Sequence, residues 1–230
     1  MIIARHSDVK RYLELTYDEE FCLIIMLFMI SWMCVLVRVP STFSQVFSVP
    51  AHLEAPTPNP LYRPKLIIFE TDHLLWPFWV DIKVTPPFKK EENGVVTDDK
   101  GAVLKPYPEV SEVLKKLTEE NITLAVGFRS EFKEETETLL KYFDFRRYFK
   151  YVIARARSKR FSFESFRELS GVDLSDMLLF DSEARGTVDA ERARIPAVLV
   201  RFGMNLEVLD EGLGKFAKVK QDLEDLSGQE

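Results

Sequence analysis

From Lys65 onward, short apolar runs alternate with segments of helical periodicity, and that rhythm restricts the chain to few folds. The runs Leu66 to Phe69, Ile122 to Phe128, Tyr151 to Ala156, Met177 to Asp181 and Ala197 to Phe202 read as strands. Between the first two, Val110, Val113, Leu114 and Leu117 fall at i, i+3, i+4 and i+7, which predicts an amphipathic helix over 108–120 with Pro108 in its first turn. Further helices are predicted over 130–143, 159–170 and 183–194, and a charged closing helix over 205–225. Such alternation predicts an α/β domain: a mostly parallel, Rossmann-like sheet flanked by helices on both faces.

The stretch from Trp76 to Lys105 departs from the alternation. Pro86-Pro87, Asn93-Gly94 and Asp98-Asp99-Lys100-Gly101 break helix and favour turns, Asn93-Gly94 being the strongest hairpin signal of the three. A small β-hairpin flap is the expectation there. At the end of the first run, Glu70 and Asp72 stand two residues apart. Side chains two apart on a strand share a face, so both carboxylates project from its carboxyl end, where open α/β sheets place ligands. One carboxylate there suits attack on phosphorus and the other proton transfer. His73, on the opposite face, is expected to pack.

The segment Phe69-Glu70-Thr71-Asp72-His73-Leu74-Leu75-Trp76-Pro77-Phe78-Trp79 resembles the first motif, D-x-D-x-T-L-W-P-F-W, of the magnesium-dependent phosphatase family in the haloacid-dehalogenase superfamily. Glu70 stands where that family has its nucleophilic aspartate, and Leu74 where it has threonine. The resemblance implies a phosphoenzyme at the position of Glu70, Asp72 as acid and then base, and phosphotyrosine-like or sugar-phosphate substrates. The flap and the Trp76-Pro77-Phe78-Trp79 loop would shape the substrate pocket, Trp76 as a substrate-binding residue, with aromatic packing the alternative for either tryptophan.

The remaining motifs follow in order. The second, S-R-T in the family, corresponds to Phe128-Arg129-Ser130: a ring replaces the hydroxyl, and Arg129 remains as a bidentate phosphate ligand. Ser130 is a substitute donor or, before Glu131, Glu134 and Glu135, the cap of the next helix. Ser158-Lys159 matches the third motif, which makes Lys159 the cation that offsets charge at the nucleophile. Asp181-Ser182-Glu183 stands for the fourth, D-D-E, whose acids hold Mg²⁺. The expected metal set is Glu70, Asp72, Asp181 and Glu183.

Glutamate at position 70 displaces the attacking oxygen by about an ångström, a shift that can cost on the order of a hundredfold in rate. The loss of the second-motif hydroxyl and of one fourth-motif acid adds to that. Two functions stay open: a Mg²⁺-dependent phosphomonoesterase of impaired turnover acting on a phosphorylated small molecule or phosphoprotein, and a pseudophosphatase serving as a phosphate- or protein-binding module.

Ahead of the domain, a polar segment (1–20) leads into the uncharged run from Phe21 to Val37, closed by Arg38. As a helix that run spans roughly 25 Å, short for a bilayer core of ~30 Å, and it reads as a single-pass membrane anchor. Five acids lie before it and no small-x-small site follows, which argues against a signal peptide. A Pro-rich linker (39–63), the phosphatase-like domain (64–225) and a tail (226–230) complete the expected organisation. Arg5, Lys10 and Arg11 against Arg38 favour a cytoplasmic N-terminus and a lumenal domain, whereas the family resemblance implies a cytoplasmic one; the sequon Asn121-Ile122-Thr123 reports on the choice. A formal net charge of -6 offers no basic footprint for nucleic acid. Cys22 and Cys34 both lie in the apolar run, so cysteine usage says nothing about the domain's redox compartment.

Overall fold

The computed structural model describes residues 62–155 and 159–227. The expected anchor over 21–37 and the linker fall outside the described residues. Among those described, no helix is long and apolar enough to cross a membrane.

Strand β1 (Leu66–Phe69) is followed by three two-residue strands, β2 (Lys89–Lys90), β3 (Val96–Thr97) and β4 (Val103–Leu104). Then come α1 (Val110–Glu119), β5 (Thr123–Arg129), α2 (Lys133–Tyr142), β6 (Phe149–Arg155) and α3 (Lys159–Ser170). The chain closes with β7 (Met177–Asp181), α4 (Ala184–Arg192), β8 (Ala197–Leu199) and α5 (Leu206–Ser227). The five longer strands form one parallel sheet in the order β6-β5-β1-β7-β8. After β1 the chain builds outward on one side and then returns to build outward on the other. The direction of winding therefore switches at β1, the point where open sheets of this kind leave a crevice.

Alternate residues of β1 enter different cores. Ile67 and Phe69 join α1 (Val113, Leu117), α2 (Leu139, Leu140) and α5 (Leu213, Phe216), while Leu66 and Ile68 join Phe163 and Phe166 of α3 and Ala190 of α4. Helices therefore cover both faces. Each such side chain contributes about 1.5–3 kcal/mol on burial, more than the ~1 kcal/mol span of strand propensities. Packing, not propensity, holds β1. Gly212 lets α5 approach closely: a Cβ there would lie 2.4 Å from Phe180 Cζ.

The flap has three strands rather than a single hairpin, in the order β2-β3-β4. Its first turn uses Gly94 at φ +85°, with Asn93 Oδ1 accepting from Val95 N–H. In the second, the Asp98 carboxylate accepts from Thr85, Lys100 and Ala102 N–H, and Gly101 takes φ +83°. The helix expected to start at Ser130 starts instead at Lys133, because Ser130–Phe132 forms a 3₁₀ turn. Pro108 precedes α1, which begins at Val110.

Candidate active site

Phe69 pairs with Val126 of β5 and Phe180 of β7, so the next residue, Glu70, emerges between the ends of both neighbours. Its N–H continues the ladder to Phe180 O (3.1 Å). Glu70 is 7% exposed and Asp181, at the end of β7, is 0% exposed. Two carboxylates are thus drawn out of water at the ends of adjacent strands, an arrangement that demands positive charge.

Beyond Glu70 the backbone turns once on itself, with Leu74 and Leu75 N–H donating to Thr71 O and His73 at φ +55°. Two other loops grip this turn: Leu74 O accepts from Met204 N–H and Leu75 O from Tyr107 N–H. Within it, Asp72 Oδ1 accepts from the Trp76 indole N–H (2.8 Å) and Oδ2 from Val80 N–H (3.2 Å). Burial pushes the Asp72 carboxyl above its ordinary range; the Trp76 and Val80 donors offset this in part, and the charge of Asp81 adds to it. A carboxyl that keeps its proton to higher pH suits a general acid.

Trp76 is 0% exposed and stacks on Phe78. A ring with no accessible surface does not meet substrate, so the expected pocket role for Trp76 gives way to holding Asp72. Of the two tryptophans in this loop, Trp79 reaches the surface, and its ring lies 5.5 Å from the Arg129 guanidinium and 5.0 Å from the His73 ring. Phe128 is 1% exposed and belongs to the larger core. Ser130 begins the 3₁₀ turn, and neither that turn nor α2 receives a side-chain cap. The capping role expected of Ser130 is absent. Lys159 opens α3, but its side chain lies outside the described residues.

Arg129, at the end of β5, bonds Glu183 Oε1 (3.0 Å) on the loop after β7 and Asp81 Oδ2 (3.4 Å) on the loop after β1. Because β1 lies between β5 and β7, the arginine reaches across the end of β1, where Glu70 stands. Ser182 Oγ donates to the backbone carbonyl of Asp72 (2.8 Å), and Asp181 Oδ1 accepts from Glu183 N–H.

The four expected metal ligands do not gather into one cluster. Among the described residues, no group of three or more His, Cys, Asp or Glu side chains is arranged to hold an ion. Asp72 is engaged by Trp76 and Val80, and Glu183 is drawn toward Arg129, while Glu70 and Asp181 stand at the ends of adjacent strands. That donor set still fits Mg²⁺, which binds through one or two carboxylates and keeps several waters. Sequence reasoning placed Trp79 in the pocket-shaping loop but missed Asp81, which lies on a loop without periodicity and is singled out only by the tertiary approach of Arg129.

A family profile described as Acid Phosphatase matches residues 62–219. The chain is 40% identical over 157 residues to a human protein described as magnesium-dependent phosphatase 1, covering 68% of this chain and 89% of that one. It is 33% identical over 136 residues to a Schizosaccharomyces pombe protein described as a HAD-like hydrolase superfamily protein, covering 53% of this chain and 77% of that one. Among solved structures, a D,D-heptose 1.7-bisphosphate phosphatase from B. bronchiseptica, complexed with magnesium and phosphate, aligns with TM-score 0.46 at 15% identity, covering 69% of this chain and 98% of that one.

Proposed function

We propose, from the premise that this chain belongs to the acid phosphatase family of magnesium-dependent, haloacid-dehalogenase-type phosphatases, that it hydrolyses phosphomonoesters with reduced turnover. The observation that carries this is Asp72, fixed at both carboxylate oxygens by Trp76 and Val80 two residues beyond the buried Glu70. In the proposed cycle a Glu70 oxygen bonds to phosphorus as the ester P–O bond breaks, and Asp72 gives its proton to the departing oxygen. Asp72 then takes a proton from the water that attacks phosphorus and releases Glu70. Glu70 and Asp181 would hold Mg²⁺, which supplies positive charge to the phosphoryl oxygens when bound. Arg129 is the proposed ligand of those oxygens, and Lys159 a second cation. The substrate is a phosphorylated small molecule or phosphoprotein.

The reduction in turnover rests on the glutamate's extra methylene, which moves the attacking oxygen by about an ångström and costs on the order of a hundredfold. Hydrolysis of an aryl phosphate by wild type, Glu70→Asp and Glu70→Ala, each with and without Mg²⁺, tests the reading. Weak Mg²⁺-dependent turnover is expected in the wild type, a rise in Glu70→Asp and none in Glu70→Ala. Phosphate binding without turnover in both wild type and Glu70→Asp would favour the binding module instead.

A further inference from the structure

We infer that Asp81 is a positioning residue that holds Arg129 ready for the phosphoryl anion; the inference rests on the proposed role of Arg129. Three observations support it. The Arg129 side chain is 45% exposed, yet it is held from three sides, by Asp81, Glu183 and the Trp79 ring. A long side chain at that exposure would otherwise sample many rotamers, and fixing it beforehand removes an entropy cost from ligand binding. The two carboxylates engage different terminal nitrogens, one bond each, so donors of the guanidinium fork stay available to an anion.

The third observation is the cost borne by Asp81. Its Oδ1 is buried with no hydrogen-bond partner, and its side chain is only 18% exposed. A carboxylate half-satisfied in this way is unfavourable by itself and calls for a role. Bonding Arg129 across the end of β1 supplies one. Asp81 also adjoins Val80, whose N–H holds Asp72, so one short segment fixes both the acid and the anion-binding cation.

The test turns on the sign of an effect. Removing a negative charge beside an anion site tightens anion binding if the charge merely repels, and weakens it if the charge positions the cation. Affinity for inorganic phosphate, read by isothermal titration calorimetry on the full chain, is expected to fall by on the order of threefold to tenfold in Asp81→Ala. Asp81→Asn, which keeps an acceptor, is expected to fall less and carries the test if the alanine variant does not fold. Phosphate bound as tightly as wild type, or more tightly, by the folded variants overturns the inference. So does a lower Tm of the ligand-free variants with phosphate affinity unchanged, which is the mark of a purely structural residue. Arg129→Ala separates the two readings. If it leaves phosphate affinity unchanged, the proposed role of Arg129 and this inference both fall; if it weakens binding while Asp81→Ala does not, the inference alone falls.

Discussion

Asp72 sits in a pocket made by its own turn, and burial there lifts its carboxyl above the ordinary range despite the Trp76 and Val80 donors. The folded state therefore binds that proton more tightly than the unfolded chain, so this group favours folding progressively more as pH falls through the raised range toward about 3.9. The wild type is expected to gain Tm relative to Asp72→Asn on acidification through that window. A gap that stays constant or widens the other way, by thermal unfolding at several pH values, would refute the assignment. At this scale the sequence was partly legible. The spacing of Glu70 and Asp72 located the end of β1, because period-2 geometry is local. Trp76 was misplaced because a motif fixes a residue's place in the chain and not which way its ring turns. Phe128 was legible as a lost hydroxyl, but its 1% exposure adds a consequence. Phe128→Ser, a natural step toward restoring the second motif, empties core volume at a cost of about 3–5 kcal/mol. Glu70→Asp with Ser182→Asp is the sounder route to recovered turnover.

Among the elements, β1, β7 and α3 coincide with their expected bounds, whereas β5 is shifted by one residue and β8 stops at Leu199. The boundary at Ser130 was missed because a 3₁₀ turn and the first turn of a helix share residue preferences, and hydrogen bonding alone separates them. The flap's extra strand was missed because two residues carry no periodicity. Helix α5 approaches β7 closely at one glycine. Its Gly212 admits the Phe180 ring, which is itself stacked on Phe69 with centroids 5.5 Å apart. Gly212→Ala is expected to destabilise the domain by about 1–3 kcal/mol through overpacking, even though alanine favours helix. A midpoint in urea equal to or above wild type would show that the helix can shift to accommodate the methyl.

For the whole described domain, the segment that leads into β1 is fastened at the amino edge of the sheet. Arg63 pairs with Glu120 (3.1 Å), Tyr62 bonds Glu224 of α5, and Asp176 takes both Lys65 and Lys220. The closing helix runs to Ser227, past the expected domain end at 225. A fragment of residues 62–227 is therefore expected to unfold in one cooperative transition, and one beginning at residue 66 to melt at lower temperature for want of these ties. Equal melting of the two fragments would show the ties to be inert. The switch of winding at β1 carries a consequence for the molecule's history. Arg129 and Asp181 each end a strand, and Glu70 directly follows one, so the ladder and packing are settled before these side chains are reached. Inheritance can thus edit the chemistry one loop at a time while each descendant still folds, and such a protein can go on displaying its lineage long after its reaction has changed.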